Sequence, residues 1–149
     1  EPLSNTHLLR AYTSWDPRVQ ALGVKVKRWA KELGVTGAME GYLSPYTLVL
    51  LVLFFLQVGD FGLPSLQALL PDHDWSTGEP SEEILRALSN AYGTQTRACK
   101  ASVDELFRQF CAFYHGDFVW GAEVVSVRLA RRARRGEPDV VELGFYGLQ

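Results

Sequence analysis

The residues best able to do chemistry in this 149-residue sequence are one tyrosine, two lysines and a run of arginines. Tyr46 follows Ser44 and Pro45. Ser44 is a good helix N-cap, because its hydroxyl can take a backbone N–H of the first turn. Pro45 fits the first helical position, where its missing N–H leaves no bond unmade. Tyr46 then sits at a helix mouth that favours anions, where its ring either stacks on a nucleotide base or simply packs. Lys27 and Lys31 are four residues apart, one turn above the other on a helix flank. They form either a solvated edge or a clamp for one anionic group such as a triphosphate. Arg131, Arg132, Arg134 and Arg135, with Arg128 just before, place five arginines between residues 128 and 135. They read as a local phosphate-backbone contact whose binding weakens with salt, or as a solvated hairpin tip. Asp72-His73-Asp74 has the spacing of a metal-binding carboxylate pair, but it follows Pro71 in a turn-rich stretch rather than lying on a strand. It reads as a surface turn, and no metal site is expected in this segment.

These residues need a scaffold, and the sequence patterns describe a mainly α one. Leu8, Leu9 and Ala11 form a short helical patch over residues 7–13, with Asn5 and Thr6 as capping residues. Asp16-Pro17 opens an amphipathic helix on which Val19, Leu22, Val26, Trp29 and Leu33 recur at steps of three and four, and Gly34 ends it. The run of nine residues from Leu48 to Leu56 is apolar on every face, so its helix is expected to be buried all round, to about Gln57. At nine residues it falls short of the roughly 20 that span a bilayer, and no membrane role is expected. A loop-rich stretch follows, then helices over 81–92 and from Ser102 to Tyr114. The segments Val124–Leu129 and Val140–Phe145 alternate like strands and predict a short β-hairpin near the end.

Length and composition predict a single domain over 1–149, with an ordinary globular balance of 47% hydrophobic and 21% charged residues. A net charge of −2 gives no global pull toward polyanions, so any such site must be local. Cys99 and Cys111 make neither a disulfide framework nor a metal set, which points to an intracellular setting. The opening Glu1-Pro2-Leu3 has no signal-peptide character, and a start on Glu suggests a processed chain or an excised piece.

Several motifs in fixed order resemble the helical, PAP-associated domain of template-independent RNA nucleotidyltransferases, the terminal uridylyltransferases and noncanonical poly(A) polymerases. They are Asn5-Thr6 with Leu8, Leu9 and Tyr12; Asp16-Pro17-Arg18-Val19; and Val26-Lys27-Arg28-Trp29-Ala30-Lys31. Then come Gly41, Leu43, Ser44 and Tyr46; Phe55-Leu56-Gln57; and Leu63-Pro64 with Leu66-Gln67. Last are Leu106-Phe107 with Phe110, and Phe118 and Trp120 leading into Val124-Val125-Ser126-Val127-Arg128. The overall character is most similar to trypanosomatid RNA uridylyltransferases.

The resemblance implies roles. The residue matching Tyr46 stacks on the base, those matching Lys27 and Lys31 hold the triphosphate, and those matching Asn5 and Thr6 contact base and ribose. The family has Ser-Ser-Tyr where this chain has Ser44-Pro45-Tyr46, so a phosphate-reaching hydroxyl is missing. It also has Phe-Asp-Trp where this chain has Phe118-Val119-Trp120, which leaves Asp117 and Glu123 as base-selection candidates. The catalytic carboxylates and their Mg²⁺ are implied to lie in an N-terminal catalytic domain of the same protein, outside these residues. The expected function is therefore the nucleotide-gripping domain of an RNA 3′-terminal nucleotidyltransferase, with UTP as substrate and Mg²⁺ as cofactor. Its expected partners are a nucleoside triphosphate, an RNA 3′ end and a larger RNA-processing complex of the RNA-editing type. The trypanosomatid likeness favours the mitochondrion over the cytoplasm. The alternatives are a poly(A) polymerase using ATP, or an inactive relative serving as an RNA-binding or scaffold module.

Overall fold

A computed structural model describes residues 2–97 and 100–140, with the side chains of 2–5, 38 and 93–97 left aside. Six helices carry the fold: α1 (Pro2–Trp15), α2 (Pro17–Glu32), α3 (Pro45–Val58), α4 (Leu66–Leu69), α5 (Glu82–Arg97) and α6 (Val103–Ala112). A 3-10 turn (Ala38–Glu40), a π-helical turn (Phe113–Asp117) and a two-stranded antiparallel sheet, β1 (Glu123–Val124) with β2 (Ala133–Arg134), complete the described elements. The mainly helical fold with a small hairpin is the one the sequence predicts.

The central helix is α3. Its run of apolar residues leaves no polar face, and the fold encloses it: Leu48 and every residue from Leu51 to Gln57 are buried. The α2 helix packs against α3 and α6, and α1 packs against α2. Aromatic rings fill the space between α3 and the end of α6. Phe55 meets Phe110 edge-on at 5.7 Å, and Phe54 meets Phe118 at 6.0 Å. Offset and edge-to-face pairs of this kind add stabilisation beyond area burial alone.

The helix ends follow their chemistry. Asp16 caps α2 by accepting the Arg18 N–H at 2.9 Å. The same carboxylate takes the Arg18 guanidinium in a bidentate pair, and Arg18 Nη2 also donates to the Phe61 carbonyl at 2.9 Å. Asp16-Pro17-Arg18 is therefore a strut that ties the α1–α2 corner to the loop after α3. At the other end, Val35 N–H bonds the Ala30 carbonyl and Gly34 N–H bonds the Lys31 carbonyl, with Gly34 at φ +68°. That is a Schellman motif, in which glycine takes the left-handed turn.

Four expectations are corrected. First, α1 begins at Pro2, so Asn5 and Thr6 lie inside the helix instead of capping it; a proline suits a helix start, and no breaker follows. Second, the buried face of α2 is Val19, Leu22, Gly23, Val26 and Ala30, while Trp29 is 37% exposed and Leu33 is 60% exposed. Trp29 instead packs edge-on against Phe107 at 5.7 Å. Third, α5 runs past Tyr92 to Arg97, and a short helix, α4, interrupts the loop-rich stretch behind the Ser65 cap. Fourth, the predicted strand Val124–Leu129 is a strand only at its first residue. Ser126 Oγ accepts the Leu129 N–H and closes a turn, as a serine side chain does when it competes with a ladder. The sheet therefore pairs Glu123 with Arg134 and Val124 with Ala133. The other predicted strand, Val140–Phe145, lies outside the described residues beyond Val140, as does Cys99.

Candidate nucleotide-binding site

The N-terminus of α3 forms as its sequence dictates. Ser44 is extended and accepts the Thr47 N–H at 3.1 Å; its Oγ also lies 2.8 Å from the Thr47 hydroxyl. Leu48 N–H bonds the Ser44 carbonyl, and Pro45 has no N–H. Among the described residues, the Tyr46 N–H is thus the one donor of this turn left to meet an anion. The mouth is a weaker anion site than the sequence suggests, because the cap itself consumes its donors. In compensation, Thr47 brings a second hydroxyl into the turn where Pro45 removes one. Sequence reasoning missed Thr47, although its Ser-x-x-Thr spacing from Ser44 was the available signal.

Tyr46 is half-buried, and burial raises its phenol above the ordinary tyrosine range. The phenol therefore stays protonated throughout the physiological range. The connector between α2 and α3 folds back on itself, since Thr36 pairs with Leu43 and Tyr42 N–H bonds the Gly37 carbonyl. That bridge brings the C-terminal end of α2 and the N-terminal end of α3 to the same end of a packed helix pair. Lys31 is in the last turn of α2 and Tyr46 in the first turn of α3, so both belong to that end, with Lys27 one turn away.

The three lysines of α2 differ. Lys25 is tied down, 2.7 Å from Asp104 and over the Phe107 ring at 5.4 Å. Lys27 and Lys31 are exposed, and among the described residues neither makes an ion pair. Two uncommitted ammonium groups toward the same end of the helix pair as an aromatic ring are the residue types that suit a phosphate chain and a base. Thr6 lies on the exposed side of α1, and the side chain of Asn5 is outside the described residues.

The base-selection and RNA-contact candidates turn out to be each other's partners. Arg132 Nη1 lies 3.0 Å from Asp117 Oδ1, and its Nε lies 2.6 Å from Glu123 Oε1. Glu123 Oε2 also accepts from Arg132 and from the Val119 N–H. The Arg132 guanidinium, helped by the Val119 N–H, holds the Glu123 carboxyl down at about 2. Arg131 pairs with Glu137 at 2.9 Å and with Asp139 at 3.6 Å. Arg131 and Arg132 are thus neutralised from within, and Arg132 fastens the sheet to the turn at 117–119. Arg134 is exposed and makes no ion pair among the described residues.

Asp72-His73-Asp74 lies in a turn, where Asp74 Oδ1 accepts from the Ser76 N–H at 2.9 Å and the Ser76 hydroxyl at 2.6 Å. Among the described residues, no group of three or more His, Cys, Asp or Glu side chains is placed to hold a metal ion. No helix among them is long and apolar enough to cross a membrane.

No family model matches the chain. It is 34% identical over 141 residues to poly(A) RNA polymerase GLD2 of Mus musculus, which covers 94% of this chain and 28% of that protein. It is 32% identical over 146 residues to poly(A) RNA polymerase gld-2 of Caenorhabditis elegans, covering 89% of this chain and 12% of that one. A solved structure of a GLD-2/RNP-8 complex aligns at TM-score 0.74 and 32% identity, over 91% of this chain and 41% of that chain. The chain spans only a minor part of each of these proteins. They support the noncanonical poly(A) polymerase side of the resemblance; the finer likeness to trypanosomatid uridylyltransferases gains nothing from them.

Proposed function

We propose that this chain is the helical domain of an RNA 3′-terminal nucleotidyltransferase, and that it grips ATP for template-independent adenylation. The observation that carries the reading is similarity along 94% of the chain to a poly(A) RNA polymerase. ATP thereby replaces the UTP expected from the motifs alone. In this reading Tyr46 stacks on the adenine, Lys31 and Lys27 bind the triphosphate, and the Thr47 hydroxyl serves where the family's second serine would. Asn5 and Thr6 are retained as nucleoside contacts, on the motif alone. Asp117 and Glu123 pair with Arg132, so base selection by either would require that pair to open.

In the reaction, the RNA 3′ hydroxyl attacks the α-phosphorus of ATP, a phosphodiester forms and pyrophosphate leaves. Mg²⁺, held by carboxylates of a catalytic domain outside this chain, would activate the hydroxyl and stabilise the leaving group. The residues described here bind and orient the nucleotide, which lowers the entropic part of the barrier. The solved relative's complex with RNP-8 supports a protein partner for the whole enzyme.

The test is calorimetric titration of the full-length protein with ATP and with UTP, for wild type and Tyr46→Ala. Loss of one stacked base weakens binding by about 1–3 kcal/mol. ATP bound more tightly than UTP, with that loss in the variant, is the expected result. UTP winning would restore the uridylyltransferase, and binding of neither would leave an inert scaffold.

A further inference from the structure

A second candidate site lies away from the N-terminus of α3. Between α4, the turn at 70–75 and the Arg128–Leu129 segment is an open cavity of ≈ 500 Å³. Its lining combines Trp75, His73, Gln67 and Arg128 with the apolar Leu70 and Leu129. That volume falls in the ordinary range for small-ligand sites, as does a mostly apolar wall carrying a few polar groups. None of Ser44, Tyr46, Lys27 or Lys31 lines it.

The polar groups are fixed in place. Ser65 donates to the Arg128 carbonyl at 2.7 Å, and Gln57 donates to the Val127 carbonyl at 3.0 Å, which pins this strand of chain to α3 and α4. His73 Nε2 lies 3.0 Å from the Gly78 carbonyl, which can only accept; Nε2 is thereby assigned the proton, leaving Nδ1 as an acceptor. The His73 ring stands edge-on to Trp75 at 4.7 Å and buttresses it. Arg128 Nη2 donates to the Asp139 carbonyl at 3.0 Å, a contact that orients the guanidinium without cancelling its charge. No carboxylate is among the lining residues.

We propose that this pocket takes one unpaired nucleobase of the RNA, laid against Trp75 with its phosphate toward Arg128. This rests on the reading of the protein as an RNA 3′-end enzyme. Single-stranded RNA is held by stacking of splayed bases on aromatic rings and by arginine at the phosphates, and this lining offers both. Gln67 and His73 Nδ1 can meet the donors and acceptors of a base edge. The positive charge and the lack of acid favour a polyanion over an apolar peptide, whose capture would not need Arg128.

The experiment is fluorescence anisotropy of a 5′-labelled, 15-nucleotide oligo(A) with the full-length protein, alongside ATP titration without RNA. Trp75→Ala is expected to weaken RNA binding about tenfold or more, with Trp75→Phe restoring most of it and ATP affinity unchanged. Arg128→Gln covers the case in which Trp75→Ala fails to fold; it is expected to weaken RNA binding and to lower its salt dependence by about one ion. RNA affinity within twofold of wild type in Arg128→Gln and, where it folds, in Trp75→Ala overturns the pocket, as does a wild type that binds ATP but no RNA. In those outcomes the nucleotide reading survives. If the protein binds no ATP yet loses RNA in the pocket variants, the pocket stands and the enzyme reading falls. Loss of a protein partner but not of RNA in the variants would assign the pocket to protein recognition, and the proposal would be wrong.

Discussion

Tyr12→Phe removes a single oxygen from the centre of the protein, and the structure says what that oxygen does. The Tyr12 ring is fully buried, and its hydroxyl donates to the Pro64 carbonyl at 3.2 Å. The same oxygen accepts the Leu66 N–H at 3.0 Å and Gln57 Nε2 at 3.1 Å. In the variant Gln57 keeps the Pro64 and Val127 carbonyls, but the buried Leu66 N–H is orphaned. One orphaned buried donor with its lost bonds costs about 2–3 kcal/mol. For a chain of this size that lowers the melting temperature by roughly 5–10 °C. The pH dependence tests the reasoning further. Burial, opposed by the bonds it accepts, raises the Tyr12 phenol from 10.0 to about 12. A group whose pKa is raised in the fold contributes stability that is intact below the unfolded value and is lost as pH climbs through the folded one. Between pH 10 and 12 the wild type should therefore lose about 2–3 kcal/mol that Tyr12→Phe, having no proton to release, does not lose. Urea denaturation at pH 7, 10, 11 and 12 would show the gap between the proteins closing. A variant within 0.5 kcal/mol of wild type at pH 7, or a gap constant with pH, would refute the reasoning.

Other predictions concern the backbone and the arginines. A Cβ built on Gly59 would stand 2.7 Å from the Phe61 ring and 3.0 Å from the Phe55 carbonyl, so Gly59→Ala should cost about 1–3 kcal/mol in denaturant titrations. An unchanged midpoint would mean that the Phe61 ring yields freely. Because Arg132 is neutralised by Asp117 and Glu123 and Arg134 is not, Arg134→Gln should reduce the salt dependence of RNA binding by about one ion, and Arg132→Gln should leave it nearly unchanged. Arg132→Gln should instead raise the Glu123 pKa from about 2, which carboxylate NMR would follow. Since that carboxyl is depressed in the fold, its contribution to stability is present above the ordinary carboxylate range and lost as pH falls toward 2. In the variant the loss should begin at higher pH. Equal salt slopes for the two arginine variants would show that the ion pairs open on binding.

What the sequence made legible is local chemistry. The Ser44-Pro45 start, the Asp16 cap, the Gly34 stop and the apolar run of α3 each act within a turn or two of helix, and each is where it was expected. What it hid is contact across long separations. Arg132 meets Asp117 fifteen positions away, so two sets of candidate site residues became one structural cluster. The hairpin register depends on how Val127 is held from outside the hairpin: its side chain is buried and its carbonyl is taken by Gln57. No alternation count over residues 124–129 contains that bond. Trp29 was misplaced for a related reason. A large apolar residue at helical spacing reads as core, but here Ala30 takes the buried position and Trp29 packs at the rim.

Gln57 also explains why motifs that look unrelated along the chain belong together. It is buried at the C-terminal end of an otherwise apolar helix, where its Nε2 is paired while its Oε1 has no hydrogen-bond partner among the described residues. Its Nε2 reaches Tyr12, Pro64 and Val127, which lie in three of the ordered motifs. The hub therefore fixes α1, the loop before α4 and the Val127–Arg128 segment against one end of α3. Tyr46 stands at the other end, eleven residues away, a separation of about 16 Å at the helical rise. A buried helix with no polar face cannot slide or roll without exposing apolar surface. The proposed nucleotide grip and the wall of the proposed Arg128 pocket are thus held at the two ends of one rigid bar.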